Sequence, residues 1–201
     1  DQVQALETSD LQAIAATKLA TAMLQNLTTD QVVALTTAQV GALTSAQLGA
    51  LSSDQVQALE TSDLQAIAAT ELSTAMLQNL TIDQIVALTT AQVGALTSAQ
   101  LEALSSDQVQ ALETSDLQAI VAAKLSTGIL EKLTTDQIVA LTTAQAAALD
   151  TTQIQALSTD QVRAMETQDL MALTSGPWAA LSSDQLQALT DDQWNALMNQ
   201  T

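Results

Sequence analysis

Leu27 to Ala58 reads LTTDQVVA, LTTAQVGA, LTSAQLGA, LSSDQVQA: four octads, each opening on Leu and each carrying an aliphatic residue five places on. An eight-residue period decides against one continuous α-helix. At 100° per residue the Leu advances by ~80° per unit, so the apolar positions would wind round the whole helix surface. A strand fails too, because the pattern does not alternate and Ala, Gln and Asp are weak strand formers. A short helix with its own start signal fits. Thr28 takes the N-cap and Gln31 the N3 position of a capping box, with Leu27 and Val32 as the hydrophobic staple. Asp30 falls in the first turn, where the helix dipole favours negative charge. Leu35 follows Val32 by three residues on the same face and opens the next staple. The spacing thus predicts a chain of two-turn helices, each ending where the next begins.

Outward from this stretch the same unit fills the chain. Units open at Leu6, Leu19 and Leu27 and continue to Leu197; those at Leu6, Leu59 and Leu112 have thirteen residues, the rest eight. A higher period of 53 residues results, with Gln2–Leu6 recurring as Gln55–Leu59 and Gln108–Leu112. Fixed periods of this kind mark a solenoid. One octad cannot stand alone, because ordering its backbone at roughly 1–2 kcal/mol per residue exceeds what one Leu and one Val return. It must stack on neighbours. The Asp-Gln pair recurs at Asp1, Asp30, Asp54, Asp83, Asp107, Asp136, Asp160 and Asp184, at intervals of 24 or 29 residues. Counting each thirteen-residue stretch as one unit, every interval is three units. The expectation is an all-α solenoid of capped helices, about three per turn, in turns of 24 or 29 residues. One side would carry an Asp in every layer. The second would alternate TTAQVGA-type units with those of Glu7, Glu60, Glu113 and Glu166. The third would alternate TSAQLGA-type with LSTAMLQN-type units. Seven to eight turns at ~10 Å per packed layer predict a rod of roughly 70–80 Å.

Residues 1–164 are expected to form the regular solenoid and 165–201 a degenerate capping region of the same domain. There the unit at Met165 stays an octad, Pro177 falls at N3, where no helical hydrogen bond is lost, and Trp178 and Trp194 take the Val position. The Trp pair is read as bulk closing a solenoid end, with a binding role as the alternative. The chain begins at Asp1, without Met and partway through an octad, which suggests a processed product or an excerpt of something longer.

Composition supports a thin aliphatic interior: 47% of the 201 residues are hydrophobic, yet there is no Phe or Tyr and there are only two Trp. Twenty-two Asp+Glu against four Lys+Arg give a formal charge of −18, which argues against nucleic acid and anionic membranes as partners. No apolar run approaches the ~18 residues of a membrane span. Cys and His are absent, which removes thiolate and imidazole chemistry. The paired carboxylates, Asp191 with Asp192 and Glu60 with Asp63, sit where capping accounts for them. Calcium needs six to eight oxygens from a tight loop, and an Asp every ~10 Å supplies no such loop. We therefore expect no catalytic, cofactor-binding or metal-ligating residue, no cofactor and no enzyme activity. The second Thr or Ser of each unit (Thr29, Thr37, Ser45) is read as a free, regular hydroxyl array, the pattern an ice-binding solenoid would use.

Two resemblances bear on function. LTTDQVVAL, Leu27 to Leu35, resembles the opening of TAL-effector repeats, but the base-reading dipeptide and Gly loop do not follow Val33, and the acidic charge opposes DNA wrapping. LTTAQVGA at Leu35 and Leu88 is similar to the LTTAQVxAL-type octad tracts of large secreted or surface proteins of Gram-negative bacteria, over almost the whole chain. That resemblance implies an extracellular or cell-surface structural module: a spacer, stalk or fibre-forming segment of an adhesin-like protein. Its partners would be itself, end to end or laterally, or other extracellular proteins. A protein-binding solenoid scaffold and an ice-binding protein are the alternatives.

Overall fold

A computed structural model describes residues 2–198, apart from the side chains of Ser175 and Pro177. Asp1, the first of the Asp-Gln pairs, and the last three residues of the expected capping region lie outside the described residues. The chain divides into two compact units, Asp1–Ala111 and Leu112–Thr201.

The octads fold as their start signals dictate. In the helix Thr29–Val33, Thr28 is extended (φ −73°, ψ 162°), its hydroxyl accepts from the Gln31 N–H, and Gln31 caps Thr28 in return. The same box heads Thr37–Gly41, Ser45–Leu48 and Ser53–Gln57. Each helix stops without a left-handed residue, since no positive φ occurs among the described residues. The closing Leu simply turns extended, as Leu104 does (φ −65°, ψ 138°), and so ends one helix and begins the next. That is how so many corners are turned with five Gly and one Pro. The staple residues form the core: Leu35, Leu43 and Leu59 are 2–4% exposed, and Val40, Leu48, Val56 and Leu64 at most 1%.

In the unit Asp1–Ala111, each helix packs on the one three elements away. Thr29–Val33 meets Ser53–Gln57, Thr37–Gly41 meets Thr61–Ala66, and Thr74–Asn79 meets Ser98–Ala103. The three-helix turn and the repeats of 24 to 29 residues stand. What differs is the place of the thirteen-residue unit. It supplies two sides, not one: the α-helix Thr61–Ala66 and a 3₁₀ turn Ala69–Glu71. The 3₁₀ turn packs between Ser45–Leu48 and Thr90–Ala95 as a full side. The 29-residue interval is thus a turn plus one side, and every element after it moves on by one side. Ser53–Gln57 is therefore covered by Thr74–Asn79, while Ile82–Val86 pairs with Ser106–Gln110. Asp30 and Asp54 share a side; Asp83 and Asp107 begin another. The expected single Asp face is corrected, because five residues of 3₁₀ turn are enough to fill a side. The expected pairing of TTAQVGA-type with Glu-bearing units does occur, between Thr37–Gly41 and Thr61–Ala66.

In the unit Leu112–Thr201 the same order runs through Thr114–Ala119, the 3₁₀ turn Ala122–Lys124 and the helices that follow. Thr135–Val139, Thr159–Ala164 and Ser183–Ala188 pack in succession on one side, so Asp136, Asp160 and Asp184 do share a face here. No thirteen-residue unit intervenes between them. Pro177 lies within the helix Ser175–Ala179, at its third residue.

Candidate functional site

The repeated polar side chain of the interior is the N3 Gln, and its work extends beyond capping. Gln55 is 4% exposed. Its Oε1 accepts from the Ser52 N–H at 2.8 Å, while its Nε2 donates to Leu24 O at 2.8 Å and Leu27 O at 2.7 Å. Those two carbonyls belong to a corner of the preceding turn. Gln92 does the same to Leu64 O and Ile67 O, both at 2.8 Å, and Gln84 to Val56 O and Leu59 O, both at 2.9 Å. Gln108 reaches Leu77 O and Leu80 O. In the unit Leu112–Thr201, Gln145 bonds Leu117 O and Ile120 O at 2.7 Å, and Gln161 bonds Leu130 O and Leu133 O. One amide thus closes its own helix and clamps the turn below, satisfying carbonyls that would otherwise face the interior with a lone pair idle. Sequence reasoning assigned only the capping half. The signal was present: a capping box takes Glu or Gln equally, and only Gln can donate.

Where N3 is not Gln, the clamp is missing. Asp63, Asp116 and Asp169 head the Glu-bearing helices at this position, each 2% exposed. Asp63 Oδ2 is buried without a partner. Asp169 accepts from the Thr143 hydroxyl at 2.7 Å. Burial pushes its carboxyl above the ordinary range, the Thr143 bond opposes this, and the Glu166 charge adds to the rise. In the LSTAMLQN unit N3 is Met76, 1% exposed. On the 3₁₀ turn, Glu71 reaches the surface of the turn below, where its Oε2 accepts from the Ser45 hydroxyl at 2.6 Å and from the Ser45 N–H. These bonds hold its carboxyl below the usual carboxylate range, the hydroxyl first.

The other candidates separate. Glu60 and Asp63 sit at the N-cap and N3 of one helix, and Asp191 and Asp192 in the first turn of Asp191–Met198. No group of three or more metal-ligating side chains occurs among the described residues. The hydroxyl array is not free throughout: Ser45 donates to Glu71, Ser53 to Asn79 Oδ1 at 2.8 Å, and Thr143 to Asp169. Trp194 is 36% exposed at a position where Val93 is fully buried, and the Nε1 of half-buried Trp178 has no partner. An open surface cleft runs past Glu131, Thr135, Ser158 and Asp160. No described helix is long and apolar enough to cross a membrane.

Short capped helices, three to a turn and clamped from turn to turn, define the chain as a repeat protein of the α-solenoid class. Within that class the ALTTAQ repeat family matches residues 3–45, 34–61, 56–98, 87–114, 109–151 and 162–199, and the chain belongs to this family. No curated protein matches it.

Proposed function

We infer that the chain is a structural repeat module without catalytic activity, serving as spacer, stalk or fibre-forming segment of an extracellular bacterial surface protein. The observation that carries this reading is the use of the polar residues that recur. The N3 Gln, the cap hydroxyls and the Ser45, Ser53 and Thr143 hydroxyls all hold one turn to itself or to the next. A side chain committed to its neighbours in copy after copy, as the N3 Gln is, serves length rather than a single site. The fold is the one a repeat array uses to extend a surface. The test is labelling of the intact source cells with antibodies to the chain, together with removal of one 53-residue repeat from its parent protein. Surface or supernatant signal is expected, and the shortened protein should keep its attachment while losing reach. Signal confined to the cell interior overturns the reading.

A protein-binding scaffold is the second reading, favoured by Met171, Trp194 and Met198, which are 47%, 36% and 64% exposed on two helices that pack together. Replacing Trp194 by Ser should then abolish capture of the partner. Ice binding draws less support, since hydroxyls it would need are already engaged; absence of thermal hysteresis at high concentration removes it.

A further inference from the structure

The 53-residue period is also a period in how turns are joined. Gln31, Gln39, Gln47 and Gln55 clamp their turn to the one before, through Val3 O, Leu11 O, Leu19 O and Leu24 O among others. Gln84, Gln92, Gln100 and Gln108 do so for the next pair of turns, through Val56 O, Leu64 O, Leu72 O and Leu77 O. Two clamped blocks result, Thr8–Gln57 and Thr61–Gln110, and Gln84 alone among these amides reaches across, from the second block to Val56 O of the first. Side chains also tie each block internally, with Gln12 donating to Ala34 O and Gln65 to Ala87 O, both at 2.8 Å.

Between the blocks the three sides are headed by Asp63, the 3₁₀ turn Ala69–Glu71 and Met76. None of these sends an N–H inward. Asp63 Oδ2 is left buried with no donor, and Met76 offers none. Besides the single buried bond from Gln84 to Val56 O, the polar contacts that cross this joint, Ser45 to Glu71 and Ser53 to Asn79, lie on the exposed surface, where water competes for them. Leu residues are buried alike on both sides of the joint, so the difference between joint and clamp is polar.

We propose that each 53-residue repeat is a clamped pair of turns that folds and opens as a unit, and that the joint headed by Asp63 parts first. In a linear array, stability is a sum over units and the interfaces between neighbours, so the interface crossed by a single clamp is the weakest link. Helices of five or six residues do not survive once their stacking is lost. The solenoid is then a series of blocks that yield one at a time, independent of the use to which its length is put.

Native-state hydrogen exchange of the full chain against denaturant tests this. Amides of residues 8–57 should fall on one isotherm and those of residues 61–110 on another. Asp63→Gln should merge the two and slow exchange in the less protected block by about fivefold or more, the worth of one added buried bond. A single isotherm spanning both blocks in the unsubstituted chain overturns the proposal, and so does unchanged or faster exchange in a folded Asp63→Gln chain. Should the longer side chain prevent folding, Gln92→Met decides. Removing that clamp should speed exchange at Leu64, Ile67 and Val93 about fivefold, and no change there overturns the proposal.

Discussion

Ser53–Gln57 and Thr61–Ala66 are consecutive helices, opened by LSSDQVQA and LETSDLQA, and they place the same kinds of residue inside. Leu51 and Val56 are buried in one, Leu59 and Leu64 in the other, and the N3 side chain is buried in both: Gln55 at 4% and Asp63 at 2% exposure. They differ in what N3 can donate. Gln55 ties Leu24 O and Leu27 O to the next turn, whereas Asp63 leaves an oxygen unpartnered. Capping a helix and clamping two turns are therefore separable functions of one position. The first needs an acceptor, as Asp116 supplies to the Glu113 N–H, and the second a donor, which no carboxylate has.

The comparison can be broken hardest at the core. Leu88→Asp places an unpaired charge in the clamped turn at a residue 4% exposed, and should cost ~4 kcal/mol or more, unfolding several layers in a urea titration. Next comes the clamp. Gln92→Glu keeps the acceptor for Thr89 N–H but turns an oxygen toward Leu64 O and Ile67 O, so a loss of about 2–4 kcal/mol is expected. Gln57→Glu, on an exposed face, should stay within ~0.5 kcal/mol; equal effects of the two would erase the distinction between clamp and surface.

The joint has its own requirement. A Cβ on Gly41 would lie 2.9 Å from Ala66 O, so Gly41→Val should destabilise by about 1–3 kcal/mol. Gly128, where a Cβ meets only the Ser126 hydroxyl at 3.9 Å, should instead gain about 0.5–1 kcal/mol on replacement by Ala. Acid sharpens the comparison further through the two shifted carboxyls. Glu71 has a lowered folded value, so its contribution is present above the ordinary 4.5 and is lost as pH falls through the folded value. Asp169 has a raised folded value, so its contribution is present below 3.8 and is lost as pH rises through the folded value. Across pH 3 to 6 the melting temperature of Glu71→Gln should therefore fall less toward acid than that of the unsubstituted chain, and that of Asp169→Asn should fall more.

Local structure was legible because the octad carries its own boundaries. Thr28, Gln31, Leu27 and Val32 specify a capped, stapled helix from neighbours at most five residues away, and the structure keeps that register in unit after unit. The three-helix turn was legible too, from the 24-residue spacing of Asp-Gln, whereas the 29-residue spacing hid a fourth element. The candidate site was legible only in part. The polar positions could be read, yet the Asp face could not, since it rested on treating the thirteen-residue unit as one side. Trp194 stands exposed where its repeat position is otherwise core, and nothing in the octad pattern marked it as exposed rather than capping.

The sequence by itself determined where each helix starts, which residues face inward, and that eight-residue pieces must stack. It could do so because caps, staples and helical periodicity are interactions within one or two turns of chain. Tertiary structure decided which unit lies on which, because that depends on whether Ala69–Glu71 fills a side. It also decided what the N3 amide does with its two protons, because their acceptors lie 25 to 31 residues back along the chain.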